Sequence, residues 1–190
     1  TTPRRLYYLI DRRTLVDAVS DYAESVVAAL GFDAGVVRLR GGLGDADDEW
    51  MFDPARTTLV STTVDQLGSR LLGRAYGAGR YSAALHAGLA GNDALIVIDE
   101  AHLVEPLRQT LEAVRRLRQM AGEPIGLPWH VLTMTATPLA GGESLGLDED
   151  DRAHPVLSPR LVARKLAALV RAGEHPAATL AQEAMKLREA

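Results

Sequence analysis

Apolar residues along this chain fall into two alternating patterns. Short, nearly unbroken apolar or β-branched runs stand at Leu6-Tyr7-Tyr8-Leu9-Ile10, Val36-Val37-Arg38-Leu39, Thr57-Thr58-Leu59-Val60-Ser61-Thr62, Ala94-Leu95-Ile96-Val97-Ile98 and Trp129-His130-Val131-Leu132-Thr133-Met134. Runs of this length with β-branched content read as strands buried on both faces. Between them, residues 13–30 carry Leu15, Val16, Val19, Tyr22, Val26, Val27 and Leu30 at helical spacing, and Gly31 stops the pattern. Helices are also expected over about 64–72 and 103–120, with Gly73, Gly77 and Gly79 marking a flexible crossing between them. Residues 140–158 show little periodicity and read as a loop, whereas 159–172 and 176–189 are Ala/Leu-rich helical patterns. Strands alternating with helices predict an α/β fold, a parallel sheet with helices on both faces.

Composition narrows the chemistry. The 190-residue length suits one substantial core, and 47% hydrophobic with 24% charged residues is ordinary for a globular chain. With no cysteine, neither disulfides nor thiolate metal sites are available. No apolar run approaches the ~20 residues of a membrane span, so no membrane partner is expected and a cytoplasmic location is. The formal net charge is −4, so nucleic-acid contact has to come from local basic patches. The acidic stretch Asp45-Ala46-Asp47-Asp48-Glu49 reads as a solvated loop.

Asp99-Glu100-Ala101-His102 directly follows the most apolar strand. In open parallel sheets, ligands bind beyond the carboxyl ends of the strands, where such residues combine a fixed position with access. Nucleotide hydrolysis uses this kind of pair: one carboxylate holds Mg²⁺ through water, and the second orients or deprotonates the attacking water. Asp99 fits the first role and Glu100 the second. His102, three residues past Asp99, is placed to hydrogen-bond to a hydroxyl at the next strand tip, where Thr135 and Thr137 stand. Capping of the following helix would account for Asp99 alone. A zinc reading lacks the helical His-Glu-x-x-His spacing.

With these motifs in place, the sequence resembles superfamily-two helicases of the DEAH-box branch. Tyr8-Leu9-Ile10-Asp11-Arg12-Arg13-Thr14-Leu15-Val16-Asp17 resembles their motif Ia, and Arg40-Gly41-Gly42 the Gly-Gly element after it. Ser61-Thr62-Thr63-Val64-Asp65-Gln66-Leu67-Gly68-Ser69-Arg70 resembles the Thr-containing backbone-binding motif. Together with His86-Ala87-Gly88-Leu89, this set is most similar to the CRISPR-associated helicase–nuclease of type I systems, in the I-G (formerly I-U) form.

The resemblance spans about Leu6 to Pro138. It implies a RecA-like first motor lobe over residues 1–140, ATP and Mg²⁺ as cofactors, and single-stranded DNA and a CRISPR interference complex as partners. Residues 141–190 would lead toward a second RecA-like lobe, which this chain lacks along with a nuclease domain. Arg12, Arg13, Arg40, Gly41, Thr63, Gln66 and Arg70 would contact the sugar-phosphate backbone, as guanidiniums, hydroxyls and free backbone N–H groups at loop-to-helix junctions do.

One part is missing. A phosphate-cradling Gly-x-x-x-x-Gly-Lys-Ser/Thr loop does not occur, since Lys165 and Lys186 are both followed by Leu. In the family this loop and its strand precede motif Ia. The expectation is therefore an incomplete lobe, lacking its first strand and phosphate loop and unable to hydrolyse ATP by itself. The alternatives are a non-catalytic single-strand-binding module and another DEAH-box enzyme acting on RNA.

Overall fold

A computed structural model describes residues 2–41, 49–121, 126–136, 145–164, 167 and 169–189. Five strands, β1 (Arg5–Ile10), β2 (Gly35–Leu39), β3 (Thr58–Thr63), β4 (Ala94–Ile98) and β5 (Trp129–Thr133), form one sheet in the order β2-β3-β1-β4-β5. Every neighbouring pair is parallel. The expected α/β class with a parallel sheet is therefore the observed one.

The connections explain the layering. α1 (Arg13–Leu30) carries the chain from β1 past β3 to β2. The route from β3 through α2 (Val64–Leu71) and α3 (Arg80–Gly91) passes β1 the other way to reach β4, and α4 (Glu105–Met120) continues that way to β5. Right-handed crossovers running in opposite directions put their helices on opposite faces. α1 therefore covers one face, through Val16, Ser20 and Ala23, and α2, α3 and α4 the other.

The main core lies under the second group. Tyr7, Leu9, Val60, Ile96 and Ile98 meet Leu67, Ala90, Leu107 and Leu111 there, all buried. Each large apolar side chain in such a layer contributes roughly 1.5–3 kcal/mol by leaving water. On the opposite face α1 rests against β2 and β3. At the far edge, Leu132 of β5 stays 50% exposed.

The amino-terminal ends of the strands are pinned by two arginines, Arg5 buried and Arg118 half-buried. Arg5 donates to the carbonyls of Leu89 (3.2 Å), Pro54 (2.8 Å) and Asn92 (3.0 Å) and lies 3.5 Å from the Asp93 carboxylate. Arg118 reaches the Leu127 carbonyl at 2.9 Å and sits 5.7 Å over the Trp129 ring, whose indole N–H donates to Ala90 at 2.9 Å. This anchoring leaves the carboxyl ends, on the other side of the sheet, free for chemistry.

Three expectations need correction. The stretch after Gly79, where no helix is expected, holds α3. Of its buried positions Ala83, His86, Leu89 and Ala90, only Leu89 is large and apolar, so the apolar periodicity is faint. Residues 140–158, expected as a loop, contain α5 (Glu149–Ala153). A reciprocal cap starts it, in which Asp148 accepts from the Asp151 N–H and Asp151 from the Asp148 N–H. The helical pattern of 159–172 is met only in part: among the described residues, α6 (Leu157–Val162) ends at Val162, and Leu169 is fully exposed outside any helix. α7 (Pro176–Glu189) forms as expected. The chain separates into two compact units, Thr1–Gly142 and Glu143–Ala190, the second holding α5 to α7.

Candidate active site at the carboxyl end of the fourth strand

The tip of β4 is clasped from both sides. Asp99 N–H donates to the Leu9 carbonyl of β1 at 3.0 Å, while Met134 N–H, just past β5, donates to Ile98 at 2.8 Å. The ladder then ends abruptly, because Glu100 turns left-handed with φ 51 and ψ 49. That conformation costs a residue with a Cβ roughly 1–2 kcal/mol. The turn brings Ala101 N–H back to the Met134 carbonyl at 3.0 Å, and a short 3-10 turn, Ala101–Leu103, leads into α4. Strain fixed by hydrogen bonds on both flanks is a common mark of functional backbone.

The side chains displayed by this turn face a cleft of about 340 Å³, lined by Ile10, Asp11, Arg12, Leu15, Asp99, Glu100, His102 and Leu103. Asp99 is half-buried and Glu100 exposed. His102 Nδ1 lies 2.9 Å from the Thr135 hydroxyl and 3.4 Å from Glu100 Oε2. The expected contact between His102 and a hydroxyl of the next strand tip is thus present, and its partner is Thr135. Thr137 lies outside the described residues.

Asp99 has two partners of its own. Its Oδ1 accepts the Glu100 N–H at 3.0 Å, and its Oδ2 accepts the Tyr8 hydroxyl at 3.4 Å. Burial is the largest cause pushing the Tyr8 phenol above its ordinary pKa, followed by the negative charge of Asp99 and the hydrogen bond to it. Tyr8 was not singled out by its chemistry in the sequence, because its closeness to Asp99 depends on strand register.

The residues expected to grip a nucleic-acid backbone divide into two groups. Arg12 and Arg13 are exposed at the start of α1, and Arg12 also lines the cleft beside Asp99 and Glu100. Arg40, half-buried after β2, pairs with Asp17. Thr63, Gln66 and Arg70 instead turn inward. Thr63 caps α2 by accepting the Gln66 N–H at 3.4 Å. Gln66 is 7% exposed and Arg70 3% exposed; the Arg70 guanidinium donates to the Gln66 carbonyl at 3.1 Å and to its side-chain oxygen. Gly41, with φ +74, presses against the Gln66 amide so closely that an added Cβ would come within 2.6 Å of it. His86, in the other element of the resemblance, is buried in α3 with its ring 5.9 Å from that of Trp50.

A larger groove of about 620 Å³ runs along β2. Its cations are engaged: Arg38 with Asp21 and Glu24, Arg40 with Asp17, and Arg56 with Asp33. Asp11, Asp99, Glu100 and His102 instead gather at the smaller cleft.

Among the described residues no three His, Asp or Glu side chains converge as a metal cage. The donor set nevertheless suits Mg²⁺, which keeps several waters and is held by one or two carboxylates together with substrate phosphates. Asp99, half-buried at the cleft, would be the residue to hold such an ion through water.

Comparison with known proteins adds little. No protein-family model matches the chain. No curated protein matches it. Among solved structures, one similar chain is the DUF1998 helicase MrfA bound to DNA and AMPPNP, at 17% identity and a TM-score of 0.46. The match covers 69% of this chain, which spans 17% of the length of that one. Among the described residues no helix is long and apolar enough to cross a membrane.

Proposed function

We propose that this chain forms the hydrolytic face of a RecA-like motor lobe in an ATP-dependent, DEAH-box nucleic-acid helicase, acting on single-stranded DNA. The observation that carries this reading is the bridge at the strand tips. His102 Nδ1 reaches the Thr135 hydroxyl at 2.9 Å while Glu100 Oε2 lies 3.4 Å away, next to Asp99. One imidazole therefore connects the carboxylate suited to activating water with the segment that follows the neighbouring strand.

In this reading Asp99 holds the ion's water shell, and Glu100 accepts the proton of the attacking water. His102 reports the state of Glu100 to Thr135 and the segment carrying Thr137. When bound, Mg²⁺ supplies charge neutralisation at the phosphate oxygens. Arg12, Arg13 and Arg40 contact the sugar-phosphate backbone, a mode of binding that tracks a strand without reading its sequence. Thr63, Gln66 and Arg70 support that surface from beneath by holding Gly41 in its left-handed turn. The sequence contains no phosphate-cradling loop, so in this reading these 190 residues by themselves do not turn over ATP. The sequence set with Asp11-Arg12-Arg13 and Thr63-Val64-Asp65-Gln66 further suggests a helicase–nuclease of CRISPR interference as the whole protein.

The same missing loop supports a second reading, a single-strand-binding module that works without ATP. Turnover of ATP by the full-length protein, measured with and without single-stranded DNA, separates the two. The motor reading expects DNA-stimulated hydrolysis that Glu100→Gln lowers by at least about a hundredfold while nucleotide binding persists. Full turnover in Glu100→Gln would remove Glu100 from its role. DNA binding with no turnover in the wild type would favour the module.

A further inference from the structure

Asp99 is more constrained than its position at a strand tip requires. Side chains 8, 97 and 99 share one face of the sheet, because Tyr8 pairs with Val97 in the β1–β4 register. The phenol therefore leans along the strand across about two residues, roughly 6.6 Å of rise, to reach the carboxylate. Its hydroxyl ends 3.4 Å from Asp99 Oδ2, on the oxygen that the Glu100 N–H does not take. The two donors come from different segments, β1 and the turn after β4, and each engages a different oxygen of the carboxyl group.

We infer that Tyr8 is a positioning residue for the metal-holding carboxylate, aiming Asp99 by a hydrogen bond from the adjacent strand; this rests on the reading of Asp99 given above. A carboxylate that holds an ion through water has to present its lone pairs in a fixed direction, and the groups that orient such ligands contribute to affinity without touching the metal. Tyr8 is half-buried, so its ring is held by the sheet face and the hydroxyl has little freedom to look elsewhere.

The test is a titration of the full-length protein with Mn²⁺ in the presence of a non-hydrolysable ATP analogue, followed by water-proton relaxation. Asp99→Asn and Tyr8→Phe are compared with wild type. Tyr8→Phe keeps the ring and removes only the hydroxyl, so folding is retained, and a thermal midpoint within a few degrees of wild type documents it. The expected result is near-complete loss of bound Mn²⁺ in Asp99→Asn and about tenfold weaker binding in Tyr8→Phe, the low end for removal of a group that orients a metal ligand. If Asp99→Asn loses the ion and Tyr8→Phe binds it as wild type does, the positioning role is overturned and the assignment of Asp99 stands. If Asp99→Asn binds Mn²⁺ like wild type, or wild type binds none, the assignment of Asp99 falls and the role of Tyr8 falls with it.

Discussion

The tips of β3 and β4 stand on the same side of one sheet, separated by β1, and each runs from a buried strand directly into polar sequence. At the β3 tip that polarity turns inward. Thr63 caps α2, and Gln66 and Arg70 bond to one another under Gly41. At the β4 tip it turns outward: Glu100 and His102 are exposed, and Asp99 is half-buried at the cleft. The cause is local. After Thr63 the helix begins at once, and its i,i+3 and i,i+4 spacings let Thr63, Gln66 and Arg70 satisfy each other. After Asp99 a left-handed residue and a 3-10 turn delay the helix by several positions, leaving the polar side chains facing the cleft. Residue types that look alike in sequence are thus tied into the packing at one tip and presented to a cleft at the other.

If that contrast is right, the two tips respond in opposite ways to substitution. The largest stability loss is expected from Arg70→Ala, which leaves a cavity and strips a buried amide of its donor. Urea denaturation should show about 2–4 kcal/mol. A loss near zero would mean that the β3 tip is no better packed than a surface. Gly41→Ala should cost about 1–3 kcal/mol by the same measurement, since both the left-handed backbone and the Gln66 amide resist a Cβ. The smallest effect on stability belongs to the other tip. His102→Ala should stay within about 0.5 kcal/mol of wild type, as for an exposed residue outside the core. In the full-length protein the same variant should nevertheless lower the stimulation of ATP turnover by single-stranded DNA. Loss of stability without change in stimulation would give His102 a structural job and erase the contrast.

Much of the frame was legible because its signals are local. The apolar run Ala94–Ile98 is β4 end to end, and the periodicity from Arg13 to Leu30 with Gly31 behind it is α1, closed by that glycine at φ 65. The His102–Thr135 contact was also within reach, since one helix and one strand return a parallel chain to a neighbouring tip. What escaped depended on the third dimension. Tyr8 meets Asp99 through register between strands far apart in sequence. The inward turn of Gln66 and Arg70 depends on how α2 seats against the sheet. α3 hides behind Ala83, Ala90 and a buried histidine, too small or too polar to draw a stripe. The described residues between Val162 and Pro176 show the converse, with a composition that favours a helix and a backbone that does not form one.

Glu100 carries a consequence for anyone who would engineer this chain. Its backbone sits at φ 51, where a glycine would be more comfortable by about 1 kcal/mol. A directed-evolution campaign scored on heat resistance alone would therefore find Glu100→Gly among its rewards. The selected protein would be sturdier and would have discarded the carboxylate that the proposed reading assigns to activating water.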